Sequence, residues 1–395
     1  MNKEKQILIV SCVYPPEPYV SAQMSEAIAL ELSKKYNVTV LCPPVSRPLG
    51  NPQYRKFNST KNYNVISLPS FTCPESKIIG RLRESYSFGK YAAEFIGTHH
   101  DSIKVIYANT HPTFGQYLLI KKAQQYNIPI IIHVQDIYPE SITKKIGKLG
   151  AVIEPLLVWF DKKKMVKSTK IITISPNMRH ALIRSRHFKA DFVDLVYNWQ
   201  DESKFNFVKS NNNIKFTFMF AGSLNPTASV ETIIEAFGIS GLKDARLVLA
   251  GEGNDKQHCI DVANRYANAD IVFETISPKT VPYVQANADI LLLPLKKGIS
   301  STALPSKLPA YMFSAKPIIA CVETNSDIST IIHKAKCGWI IEPENPKALS
   351  MQMIDCFNTS KDYLDKMGES GKQFALSELS MKENLAKICN IITSI

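Results

Sequence analysis

Four short stretches in the second half of the chain carry residue types that hold phosphate groups. They are Gly222-Ser223, Gly251-Glu252-Gly253, residues 298–301 and Pro305-Ser306-Lys307, each placed where a loop follows a short apolar run. Glycine lets backbone N–H groups approach an anion, and a serine and lysine at a helix start add a hydroxyl, an ammonium and free N–H donors. Pro305-Ser306-Lys307 is the richest of the four, because Leu308, Tyr311 and Met312 follow it at helical spacing. A plainer reading stays open beside each: Ser306 as an ordinary cap, Lys307 as a solvated residue, Gly251-x-Gly253 as a turn. In the first half, Gln135-Asp136 closes an apolar run and Glu140 follows shortly after. Two carboxylates there suit acid or base chemistry, although Glu140 also suits the cap of a helix beginning near Ser141. His133 lies inside the run and reads as a core histidine.

These stretches need strands to end behind them and helices to start ahead of them. Apolar runs of strand length occur at 7–13, 38–41, 105–108, 128–133, 171–174 and 193–196, and again at 216–220, 247–250, 271–273, 289–293 and 318–320. Amphipathic stretches of helical spacing separate most of them, which is the βαβ rhythm of parallel sheets. One of these stretches, with Leu149, Val152, Ile153, Leu156, Leu157, Trp159 and Phe160, has the spacing of a packed helix face and ends in Lys162-Lys163-Lys164. The expected organisation is a Rossmann-like domain over 1–197, a linker over 198–213, a second Rossmann-like domain over 214–375, and a C-terminal helix over 376–395 returning to the first domain. Ligands of open parallel sheets bind at the carboxyl ends of the strands, where all the stretches above fall.

Composition narrows the class. A chain of 395 residues, 45% hydrophobic and 21% charged, suits two ordinary globular domains. No apolar run approaches the ~20 residues that span a bilayer, and the first run is too short for a signal-peptide core. Eight cysteines without a CxxC pair argue for a reducing compartment and against a zinc site, so a cytoplasmic location is expected. The net charge of +12 is uneven: residues 1–200 carry 27 Lys and Arg against 14 Asp and Glu, whereas residues 201–395 carry 20 against 21. Nucleic acid or an anionic membrane surface fits such a basic half, and so does a solubilising surface. Lys77, Arg81, Arg83 and Lys162 to Lys164, set among apolar residues, favour the membrane. There is no GxGxxG in the first half, no P-loop and no DxD, so a dinucleotide dehydrogenase is disfavoured and a metal-held phosphate has no evident ligands.

Several stretches together resemble glycosyltransferase family four. They are YPPE at 14–17, VQDIYPES at 134–141, ISPNMRHAL at 174–182, YNWQDESKF at 197–205, FAGSL from Phe220, GEG from Gly251 and PSKLPAYMFSAKPIIA from Pro305, in family order over most of the chain. The QDIYPES and PSK variants look most like transferases of bacterial surface-polysaccharide clusters that act on amino sugars. The resemblance implies an α/β GT-B fold of two Rossmann-like domains facing a cleft. It further implies a retaining transfer of a sugar from a nucleotide-diphosphate donor to a lipid-linked acceptor, without a cofactor or metal and without nucleic acid, by a protein peripheral to the inner membrane face.

The chain departs from the family pattern at several contacts. The two glutamates usual around the central stretch correspond to Thr302 and Ala310, and the Arg and Lys that usually hold the diphosphate correspond to Ser223 and roughly Thr227. Gln135 stands where a histidine is common, and Tyr19-Val20 where a glycine pair is. Lys307 is the cation best placed to replace the missing pair. The expected catalytic residues are therefore Lys307, Asp136 and Gln135. Gly222, Ser223, Gly251, Glu252, Gly253, Thr302, Pro305, Ser306 and Lys307 are expected to bind the donor, and Tyr14, Glu17, Tyr138 and Glu140 the acceptor. An epimerase of the same fold, or a non-catalytic partner subunit, remains the alternative.

Overall fold

The computed structural model describes residues 5–17, 19–46, 62–73, 78–109, 114–205, 214–277, 280–300, 304–305 and 307–395. The chain divides into two compact units, residues 1–198 with 384–395 and residues 199–383. Residues 199–205 and the start of the last helix, Met381–Thr393, thus belong to the second unit, and the rest of that helix to the first.

The first unit holds seven parallel strands: β1 Gln6–Ser11, β2 Val38–Cys42, β3 Asn64–Ser67, β4 Ile103–Asn109, β5 Ile130–Val134, β6 Lys170–Thr173 and β7 Val193–Leu195. Their order is β3-β2-β1-β4-β5-β6-β7. The second unit holds six: β8 Phe216–Ala221, β9 Ala245–Ala250, β10 Ile271–Glu274, β11 Ile290–Pro294, β12 Ile318–Cys321 and β13 Gly338–Ile341, in the order β10-β9-β8-β11-β12-β13. Central strands are covered on both faces, so Leu8, Ile9, Val10 and Leu291, Leu292, Leu293 are all buried. That double burial is why they stand out as unbroken apolar runs. Strands β3 and β13 lie outside the runs read from the sequence. Both are sheet edges and no more than partly buried, so neither needs a continuous apolar run.

One helix reverses its expected packing. Lys148–Met165 buries only Gly150 and Met165, and the apolar spacing that suggested a core face points to solvent. Among the described residues no helix is long and apolar enough to cross a membrane.

Candidate functional site

In the second unit the strand order turns back at β8 and β11, and a crevice opens at the carboxyl ends of such a pair. Strands β8 and β11 pair only as far as Met219 and Leu291. Along a parallel strand, successive residues turn their N–H and C=O to opposite sides. The Gly222 N–H donates to Ala250 O on the β9 side at 2.9 Å, so Ala221 faces the gap toward β11. The Tyr311 hydroxyl fills that gap, accepting from Ala221 N–H at 2.9 Å and donating to Ala221 O at 3.1 Å. Tyr311 is fully buried and sits on the helix Lys307–Phe313, so this bridge fastens the helix to the end of β8.

Lys307 opens that helix and runs across Gly222. Gly222 holds φ at +155°, a backbone conformation that residues with a side chain rarely adopt, and a Cβ there would also press on the Lys307 side chain. Gly251 is needed for the same kind of reason, since a Cβ there would collide with the Gly222 carbonyl. The Lys307 ammonium lies 4.1 Å from the centre of the Phe220 ring, a cation–π contact on a partly buried charge. Desolvation pushes Lys307 down to about 8. Among the described residues no carboxylate counteracts that loss. Among the described residues, Lys307 is thus a desolvated ammonium at the switch point of a parallel sheet.

The glycine loops contribute less than the sequence suggested. The Gly222 N–H is held by Ala250 O, the Gly251 N–H by Glu274 O at 2.8 Å, and the Leu224 N–H by Glu252 O at 2.9 Å. The Gly222 and Gly251 amides therefore extend the sheet ladder rather than face a phosphate. Among the described residues, the N–H groups of Ser223 and Gly253 have no such partner, and both residues are exposed. The Glu252 carboxylate accepts from Lys256 and from Thr275, each at 2.7 Å, and the Lys256 bond draws it below the usual carboxylate range. Pro305 accepts from Leu308 N–H at 3.1 Å and starts the first turn. Thr302 and Ser306 lie outside the described residues, while Ala310 is buried within its helix.

Glu323, beyond β12, was not singled out from the sequence. Its carboxylate accepts from the Gly298 N–H and the Ser300 hydroxyl, and Ser300 Oγ in turn accepts Glu323 N–H at 3.1 Å. This fixes the loop after β11 beside the site. Lys296 and Lys297 on the same loop are exposed.

Removing the Tyr311 hydroxyl isolates the test of helix anchorage. Tyr311→Phe leaves two buried backbone groups of Ala221 without partners, so stability should fall by about 1–3 kcal/mol in denaturant unfolding. Turnover should fall with it, because the helix that carries Lys307 loses its tie to β8.

In the first unit the expected acceptor residues separate into two groups. Tyr14 is buried and its hydroxyl donates to Tyr63 at 2.8 Å, and burial raises its pKa far above the ordinary tyrosine value. Glu17 is buried and accepts from Ser46 N–H at 2.9 Å. Glu140 accepts both guanidinium nitrogens of Arg186, which is fully buried and also holds Asp161 at 2.9 Å and the Tyr138 carbonyl at 2.7 Å. All three side chains are thus engaged in hydrogen bonds or ion pairs within the protein. Asp136 is exposed, and Gln135 and Tyr138 are partly open. Gln135 accepts from Asn198 Nδ2 at 3.0 Å and lies 3.3 Å from His133 Nε2. His133 is buried, bonded to the Tyr107 hydroxyl at 2.6 Å, and desolvated down to about 3, so it stays a neutral core imidazole.

A family model for glycosyl transferases group 1 matches residues 201–374, and one for glycosyltransferase family 4 matches residues 23–204. WbjE of Pseudomonas aeruginosa, a probable glycosyltransferase, is 23% identical over 268 residues, which are 64% of this chain and 65% of that protein. The match thus spans just under two thirds of that relative's length. Among solved structures, Anabaena HepE in complex with UDP gives a TM-score of 0.73 at 14% identity, covering 99% of this chain and 100% of that one. WaaG, a glycosyltransferase involved in lipopolysaccharide biosynthesis, gives 0.70 at 14% identity, covering 98% and 100%. At these identities the structural likeness is one of fold.

Proposed function

The chain belongs to the group 1 and family 4 glycosyltransferases, of GT-B fold, and on that premise we propose that it moves a sugar from a nucleoside diphosphate to a lipid-linked acceptor with retention of configuration. The donor would sit on the second unit. What carries the proposal is Lys307: its ammonium, short of solvent and of counter-charge at the β8/β11 switch point, supplies what a leaving diphosphate needs. As the bond between the sugar and the β-phosphate oxygen breaks, its electron pair stays on the phosphate. The acceptor oxygen bonds to the same sugar carbon and passes its proton to the departing diphosphate oxygen. A cation fixed beside the phosphate gains interaction as that charge grows, and so lowers the barrier. HepE as a UDP complex supports a nucleoside diphosphate ligand for this fold.

The first unit would hold the acceptor, near the exposed Asp136 and the partly exposed Gln135 and Tyr138. An N-acetylated amino sugar as the transferred group, and surface-polysaccharide synthesis at the inner membrane face, follow from the motif variants. WaaG's part in lipopolysaccharide synthesis supports the second of these. The diphosphate charge is met by Lys307 in place of a metal. Nucleotide release from a panel of nucleoside diphosphate sugars should therefore require a lipid-linked sugar acceptor and persist in EDTA. Release or isomerisation without acceptor would point to an epimerase. Loss of turnover in EDTA, restored by magnesium or manganese, would contradict the metal-free reading.

A further inference from the structure

The helix Lys148–Met165 is inside out by the usual standard for a surface helix. Val152 is 77% exposed, Leu149 66%, Leu156 57%, and Trp159 and Phe160 46% each. Spaced at three and four residues, they form one stripe along the solvent side. The opposite side carries carboxylates turned inward: Glu154 accepts from the Thr143 hydroxyl, and Asp161 is held by buried Arg186. A helix that merely covered a core would have the two faces exchanged. Pairing Glu154 and Asp161 inside leaves the apolar stripe free of negative charge.

Its fringe is positive. Lys148 opens the helix, Lys162, Lys163 and Lys164 close it, and Lys167 follows. The Lys163 ammonium lies 3.7 Å from the centre of the Trp159 ring, and Lys164 lies 5.0 Å from that of Tyr117 on the neighbouring helix Phe114–Gln125. Tyr117 and Phe114 are themselves exposed and enlarge the apolar surface. Aromatic rings and aliphatic side chains at the level of lysine heads are the chemistry of a helix lying in the headgroup layer of an anionic bilayer.

We propose that Lys148–Met165 is a membrane-docking helix, lying flat with Leu149, Val152, Leu156, Trp159 and Phe160 in the acyl boundary and its lysines on anionic lipid headgroups. This locates the membrane contact that the proposed lipid-linked acceptor requires, and to that extent rests on the proposed function. A second copy of the chain is a less suitable occupant, because two such faces would bring their lysine fringes together. Of the other basic residues read from the sequence, Arg81 is paired with Glu84 at 2.7 Å and Arg83 stacks on Phe71 at 4.2 Å, while Lys77 lies outside the described residues.

Flotation with vesicles of equal parts phosphatidylglycerol and phosphatidylcholine, against phosphatidylcholine alone, tests the proposal without requiring turnover. The full chain should bind the anionic vesicles at low salt and release at high salt. Trp159 fluorescence should be quenched by brominated acyl chains, and that quenching should vanish in Trp159→Phe. The double variant L156S/W159S alters exposed side chains only, so its melting should match the parent while vesicle affinity falls by about tenfold or more. Vesicle binding that is absent, equal on neutral vesicles, or unchanged in the double variant overturns the proposal. So does self-association of the parent without lipid that the double variant abolishes, since the face is then a dimer contact. Nucleotide binding measured on the same variant stays intact if only this proposal fails, and is absent in the parent if the transferase reading fails.

Discussion

Lys307→Ala is expected to lower kcat by about 10²–10³, equivalent to roughly 3–4 kcal/mol of lost transition-state stabilisation, the cost of removing one preorganised donor at a developing anion. Lys296→Ala and Lys297→Ala should each cost less, since both side chains are exposed and screened by water. The pH profile should carry the same signature. Desolvation lowers Lys307 to about 8, so its charge is present below that pH and lost above it. In consequence kcat/KM should decline above about pH 8, where an ordinary lysine would hold its proton to about 10.4. Stability should move the other way. The folded state pays a desolvation penalty wherever it keeps the charge, so Lys307→Met should stabilise the protein by about 1–2 kcal/mol at neutral pH. That gain should fade between pH 8 and the unfolded lysine's value, as the parent's folded state sheds the proton. Faster unfolding of the variant together with full turnover would contradict both halves of the argument.

Arg186→Met should be the most destabilising single change in the first unit, costing about 3–5 kcal/mol. Arg186 is the last residue of the helix Pro176–Arg186 and is fully buried, with Glu140, Asp161 and the Tyr138 carbonyl around its guanidinium. Burial already lifts Asp161 to about 6 against the pull of Arg186. Without the arginine, two carboxylates face each other in a place poor in solvent. Adding Glu140→Gln and Asp161→Asn should recover much of the loss, because the strain lies in unpaired charge rather than in packing. Urea unfolding of the single and triple variants measures this. Equal stability of Arg186→Met and the parent would show that water reaches the cluster.

What the sequence made legible follows from how far apart interacting groups lie along the chain. Central strands announce themselves because burial on both faces demands apolar residues throughout, and the loops at their carboxyl ends follow. Edge strands β3 and β13 lack that demand. Tyr311 and Ala221 are ninety positions apart, so nothing local marks the phenol as the anchor of the Lys307 helix. Glu140 and Glu17 look like site carboxylates because their partners, Arg186 and Ser46, are 46 and 29 residues away. The helix Lys148–Met165 teaches a further point: periodicity gives the width of an apolar face but not what covers it. The exposure of the stripe, and the inward turn of Glu154 to Thr143 and of Asp161 to Arg186, show that it faces out.

Isothermal titration of a nucleoside diphosphate into the parent and into Lys307→Met, repeated in buffers of different ionisation enthalpy near pH 8.5, tests the assignment of the diphosphate to Lys307. A phosphate beside the ammonium restores its proton, so binding to the parent should take up a fraction of a proton from the buffer, approaching one as the pH rises further above 8. The variant should bind about a hundredfold more weakly, a difference of roughly 2.7 kcal/mol, with no such uptake. Equal affinities for the two proteins, or parent binding with no proton exchanged, would contradict the account and place the diphosphate elsewhere.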